Sequence, residues 1–73
     1  MSKAKLTISN QIRRLRFDHN EMTQQQLAAA IGVSRQTIVA VEKGKYNPSL
    51  ELAFQIAMVF DQPLEKVFYI DSE

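Results

Sequence analysis

Seventy-three residues with an ordinary apolar share make one small folded domain, near the lower limit at which a single hydrophobic core holds without help. The chain has no cysteine, which excludes a disulfide framework, a thiolate metal site and a cysteine nucleophile; its lone histidine, His19, has no clustered carboxylates with which to hold a metal. The net charge of +1 is unevenly spread: residues 1 to 45 carry eight basic and three acidic side chains, giving +5, and residues 46 to 73 carry Lys66 against five acidic ones, giving −4.

That division turns one end of the molecule toward a polyanion and the other away from it. The bland alternative is a set of solvated charges whose imbalance means nothing. No stretch approaches the ~20 apolar residues of a membrane span, and the start lacks the apolar core of a signal peptide, so a cytoplasmic protein is expected.

Along the chain, Ile8, Ile12 and Leu15 recur at the spacing of one helical face, which predicts a first helix capped by Thr7 or Ser9 and running to about Asp18 or His19. Asp18 to Glu21 is a polar connection. Thr23, with Gln26 three residues on, forms a capping-box pattern that opens helix two, and Leu27, Ala28 and Ile31 give that helix its buried stripe. Three consecutive alanines keep it slim. Gly32 suits the left-handed conformation in which a helix ends, Val33 is the apolar residue of the turn, and Ser34 caps helix three.

Helix three sets Ile38 and Val41 on one face and Arg35, Gln36, Val39 and Ala40 on the other. Gly44 ends it, and Lys43 suits the negative end of its dipole. Lys45 to Pro48 is a loop. Ser49 caps helix four, the most apolar of the set with Leu50, Ala53, Phe54, Ala57, Met58 and Phe60. Pro63, suited to a first turn, opens a short helix five with Leu64, Val67 and Phe68. The apolar runs at residues 5–8 and 67–71 read as short strands, paired with each other. The fold class is therefore all-α: a compact five-helix bundle in one domain, residues 1–73, with a small terminal strand pair.

Two capped helices joined by a glycine turn, at about residues 23–43, form the layout whose second helix enters the DNA major groove. Arg35 and Gln36 stand side by side at the start of that second helix. Arginine donates two hydrogen bonds to the O6 and N7 edge of guanine, and glutamine both donates and accepts at the N6 and N7 edge of adenine. Val39 and Ala40 are small and apolar, fit for close approach and for a thymine methyl. The competing view is an ordinary exposed helix start, since arginine and glutamine are also common helix formers.

Phosphate contacts are expected on either side of this reading helix. The first turn of helix two offers free N–H groups and a positive dipole end, with the amides of Gln24 and Gln25 beside it. Past helix three, Lys43, Lys45, Tyr46 and Asn47 line a loop able to grip the backbone, and such contacts position without specifying. Arg16 and Glu42, near the ends of helices one and three, read as a partly buried ion pair that fastens the two together. His19 reads as a loop residue without a role.

The run Thr23-Gln24, Leu27-Ala28, Gly32-Val33-Ser34-Arg35, Thr37-Ile38, Glu42, Gly44, Pro48-Ser49-Leu50, Ala53, Ile56-Ala57 and Phe60 closely resembles the Cro and phage-repressor (Xre-like) helix-turn-helix regulators. The resemblance covers about Ile12 to Phe68, and points to the short stand-alone members without a ligand-sensing domain. It implies a lambda-repressor-like fold, base reading by Arg35, Gln36, Thr37, Val39 and Ala40, and phosphate contact by Gln24; Thr23, Gln25, Ser34, Lys43, Lys45, Tyr46 and Asn47 complete the expected phosphate track. It makes Arg16 and Glu42 the interhelical salt bridge. It also implies a homodimer on a two-fold symmetric operator, with recognition helices ~34 Å apart. Terminal strands assist dimerisation in some members, which gives Leu6, Ile8, Phe68 and Ile70, within segments 4–8 and 62–73, an interface role.

Two departures stand out. The connection from Arg16 to Gln24 is one residue longer than the common pattern, with Asn20-Glu21 where a lone glycine is typical. Three glutamines replace the frequent Gln-Glu-Glu at the start of helix two, which removes acidic charge near the phosphate track. The expected function is a sequence-specific transcription regulator, a repressor, whose partner is double-stranded DNA. No cofactor, metal, membrane or small-molecule effector is expected, and no catalytic constellation exists. An antitoxin or restriction-control protein, and a helical protein-interaction module that does not touch DNA, are the alternatives.

Overall fold

The computed structural model describes residues 7–71. In chain order it contains β1 (Ile8–Asn10), α1 (Ile12–Asp18), α2 (Gln24–Ile31), α3 (Arg35–Glu42), α4 (Leu50–Val59), α5 (Leu64–Val67) and β2 (Phe68–Ile70). Five helices and one small antiparallel sheet thus make up the described chain. Leu6, expected at an interface, lies outside these residues.

The start of the chain differs from the helical reading. Ile8 and Ser9 are in β1, paired Ile8 to Ile70 and Ser9 to Tyr69, with Asn10 opposite Phe68. Neither Thr7 nor Ser9 caps α1. Thr7 instead accepts a hydrogen bond at its carbonyl from the Asp71 amide, and the Ser9 hydroxyl donates to the Asp71 carboxylate at 3.3 Å. The α1 start is supported by the Asn10 side chain, whose Oδ1 accepts from the Ile12 N–H at 3.1 Å. Ile8 fits helical spacing with Ile12, but pairing with the distant C-terminal strand satisfies its backbone instead.

The core is one cluster drawn from every helix. Ile12 of α1, Leu27 and Ala28 of α2, and Ile38 and Val41 of α3 are buried against Leu52, Ile56 and Ala57 of α4. Phe60 and Val67 close it from the C-terminal side, and Leu15, Ile31 and Val33 pack at its edge. Of the apolar residues of α4, Leu50, Phe54 and Met58 are exposed. Leu52 and Ile56 take the inward positions.

The link between α1 and α2 carries the inserted residue as two consecutive left-handed positions, Asn20 (φ 58°) and Glu21 (φ 54°). Asparagine tolerates that conformation, but at Glu21 it stores backbone strain of about 1–2 kcal/mol. What holds it is a pair of backbone hydrogen bonds, from the Glu21 N–H to the Phe17 carbonyl and from the Met22 N–H to the Arg16 carbonyl. His19, read as a loop residue without a role, closes α1: its ring packs edge-on against Phe60 at 5.2 Å, and Nδ1 lies 3.1 Å from the Leu15 carbonyl. Pro63 stands just ahead of α5 at its N-cap, not within its first turn.

Candidate nucleic-acid interface

The two central helices are built by local chemistry. Thr23 accepts at its hydroxyl from the Gln26 N–H at 3.0 Å, and the Gln26 side chain accepts from the Thr23 N–H at 2.8 Å, which completes a capping box. Gly32 ends α2 at φ 93°, its N–H donating to the Ala28 carbonyl. Ser34 then accepts from the Thr37 N–H at 3.2 Å and starts α3. The turn is therefore three residues long, Gly32 to Ser34, with a capped helix on either side.

Arg35 and Gln36 project from the first turn of α3 and are exposed. Thr37, Val39 and Ala40 are half-buried, at the edge of the outward face. The Thr37 hydroxyl shares a 2.9 Å hydrogen bond with Ser34, so both hydroxyls are engaged within the cap. Gln25 is exposed at the start of α2, where the N–H groups of Gln24 and Gln25 have no partner inside the helix. Past α3, Lys43, Lys45, Tyr46 and Asn47 are all exposed, around a turn in which Gly44 takes φ 75°.

An ionic network fixes the reading helix from behind. Arg16 Nε and Nη2 donate to Glu42 Oε2 and Oε1 at 2.6 and 3.1 Å, and Arg16 Nη1 donates to the Met22 carbonyl at 2.9 Å. Gln24 Nε2 donates to Glu42 Oε1 at 3.2 Å. The Glu42 carboxylate at the end of α3 thus ties together α1 and α2, and the Arg16 guanidinium that it holds also secures the link between them. The pair is largely buried, with side chains 14% and 9% exposed. Gln24 spends one amide hydrogen here and keeps the other.

Three residues matter here that the sequence reading did not single out. Asn10 Nδ2 donates to the Val41 and Glu42 carbonyls at 3.1 and 3.4 Å, which caps the end of α3 from the sheet. Arg13 lines a cleft of about 510 Å³ shared with Thr23, Gln24, Gln25 and Arg35, and also a neighbouring cleft with Lys43. Phe17 lies in the wall of the first cleft and is 64% exposed. Arg13 was visible only as one of a basic run; its alignment with α2 and α3 comes from the tertiary fold. Ile8 and Ile70 face each other in the terminal sheet, and Phe68 stands opposite Asn10.

A capped helix, a tight glycine turn and a second capped helix with an exposed polar start define a helix-turn-helix DNA-binding domain. Comparison with known proteins agrees. The helix-turn-helix family model of the Cro/C1 type matches residues 12–67. The chain is 52% identical over 67 residues to an uncharacterized HTH-type transcriptional regulator of Methanocaldococcus jannaschii, covering 90% of this chain and 100% of that one. It is 35% identical over 65 residues to the cryptic phage CTXphi transcriptional repressor RstR of Vibrio cholerae, covering 89% of this chain and 57% of the repressor. Among solved structures, a Bacteroides fragilis protein assigned to DNA binding superposes with a TM-score of 0.71 at 23% identity, over 84% of this chain and 97% of that one. The chain belongs to the Cro/C1-type helix-turn-helix family, whose members are DNA-binding transcriptional regulators and not enzymes. Among the described residues no helix is long and apolar enough to cross a membrane.

Proposed function

We propose that the chain is a cytoplasmic, sequence-specific transcriptional repressor that binds a two-fold symmetric operator as a homodimer. The observation that carries this reading is the placement of Arg35 and Gln36. They stand adjacent and exposed at the N-terminal end of a helix that is capped in front and held behind by the Arg16–Glu42–Gln24 network. In the major groove Arg35 reads guanine and Gln36 reads adenine, while Thr37, Val39 and Ala40 set the close approach.

Phosphates on one strand meet the α2 N-terminus, with Thr23, Gln24, Gln25 and Ser34, and Arg13 from α1 reaches the same track. On the other side Lys43, Lys45, Tyr46 and Asn47 grip the backbone. The similarity to a phage repressor favours repression as the outcome. One α3 offers two strong base readers, too few for a genomic address, and pairing two copies doubles the information. The terminal sheet, through Ile8, Phe68 and Ile70, takes part in that pairing.

The test is selection of bound duplexes from a random pool, followed by titration at fixed salt. A two-fold symmetric motif, bound at least ~10³-fold tighter than random duplex, is the expected result. Enrichment of no motif would defeat the proposal.

A further inference from the structure

The half-buried Asn10 side chain is engaged at both of its polar atoms. Oδ1 accepts from the Ile12 N–H at 3.1 Å, which turns the amide nitrogen toward the end of α3. There Nδ2 donates to the Val41 carbonyl at 3.1 Å and to the Glu42 carbonyl at 3.4 Å. Only this orientation satisfies all three bonds, because Oδ1 can only accept and Nδ2 can only donate. The last carbonyls of a helix have no partner within it. Here the N–H groups of Lys43, Gly44 and Lys45 serve Val39, Val41 and Ala40 in turn. Among the described residues, the Glu42 carbonyl has Asn10 as its donor.

The backbone of Asn10 is set by the C-terminal strand. Asn10 stands opposite Phe68 in the sheet, and the next N–H, of Gln11, donates to the Val67 carbonyl at 2.8 Å. Two strands of three residues each are marginal by themselves, and such an element opens locally at low cost. With β2 released, the backbone that aims Nδ2 at α3 loses its outer support.

We infer that Asn10 is a positioning residue for DNA reading, through which the C-terminal strand holds the end of α3. The inference rests on the DNA-reading role of α3 proposed above. A binding constellation must be held within about 0.5 Å of its productive geometry, so Arg35 and Gln36 depend on where the axis of α3 lies. Side chains from β1, α1 and α2 all end on the last residues of that helix, as Asn10, Arg16 and Gln24. The gripping loop from Lys43 to Asn47 begins at the same point, so both parts of the interface share one support. By linkage, a duplex that selects the held position of α3 also favours the closed sheet.

The test compares duplex binding by the wild type, Asn10→Ala and Asn10→Ser, well below their unfolding midpoints. Serine keeps an acceptor for the Ile12 N–H but is too short to reach the α3 carbonyls. Both variants should bind the selected duplex about 10-fold more weakly, with random duplex changed less than about 2-fold. Ile56→Val, which loosens the core without removing these bonds, should leave that ratio as it is. An equal loss on both duplexes, or no loss, overturns the inference.

Amide exchange gives a readout that a change in stability does not mimic. The Asp71 N–H donates to the Thr7 carbonyl at the far end of the sheet, away from every expected DNA contact. Saturating selected duplex should slow its exchange at least ~5-fold in the wild type and leave it unchanged in Asn10→Ser. The wild-type arm needs no variant to fold, and an Asp71 amide that DNA leaves unprotected defeats the coupling. Protection that persists in Asn10→Ser would come from the pairing of copies and defeats it as well. In each case a motif read by the wild type leaves the DNA-reading role standing. A wild type that prefers no duplex over random sequence overturns both.

Discussion

The guanidinium of Arg16 and the carboxylate of Glu42 meet through two hydrogen bonds, at 2.6 and 3.1 Å, across 26 residues of sequence. The contact joins the end of α1 to the end of α3, and Gln24 adds a bond from α2 at 3.2 Å. Its contribution is positional. The Coulombic gain of a mostly buried pair is largely offset by desolvation, but a lone charge left behind costs heavily.

Arg16→Met is therefore expected to lower stability by about 3 kcal/mol, and Arg16→Met combined with Glu42→Leu to recover most of that loss. Urea denaturation midpoints of the single and double variants check it. A double variant as unstable as the single one would mean that the Met22 and Gln24 contacts dominate over the charge.

Asn10 makes the second long-range fastening. Its side chain donates to two carbonyls at the end of α3 and accepts from the Ile12 N–H. Asn10→Ala removes all of these and should cost about 1–3 kcal/mol. Amide exchange should show the loss at Ile12 and through the last turn of α3, with α4 little changed.

The turn of the motif and the link that precedes it predict opposite glycine effects. At Gly32 (φ 93°) an added Cβ meets nothing within 4 Å, so Gly32→Ala should cost about 1 kcal/mol through backbone strain alone. At Glu21 (φ 54°) the strain is already present, and Glu21→Gly should raise stability by a few tenths to about 1 kcal/mol, net of the glycine entropy. Each change of about 1 kcal/mol corresponds to a Tm shift of about 4–8 °C in a domain of this size.

These turns also show what the sequence made legible. Thr23 with Gln26, Gly32, Ser34 and Ser49 act on backbone within four residues of themselves, so their chemistry is readable without the fold. Ile8 was ambiguous because its spacing from Ile12 suits a helix, while its true partner, Ile70, is 62 residues away. In α4, apolar residues occupy every side, and periodicity cannot choose which stripe faces inward. Asn10 and His19 make one local contact each, but their hold on the α3 end and on Phe60, and the alignment of Arg13 with α2 and α3, come from tertiary packing.

Phosphate grippers should behave uniformly. Lys45→Ala and Arg13→Ala are each expected to weaken all duplexes alike and to lower the slope of log affinity against log salt by about one. Titrations of one selected and one random duplex over a salt series measure it. A sequence-dependent loss would move the residue into the base-reading set.

The most direct test of the central claim is the base preference of Arg35→Ala, measured by repeating the duplex selection with this variant beside the wild type. The variant should lose about 1–3 kcal/mol on the wild-type site and relax the preference at one symmetric pair of positions, leaving the others intact. If it binds every duplex more weakly by the same factor, with the motif unchanged, then α3 does not read bases through Arg35 and the account of this helix is wrong.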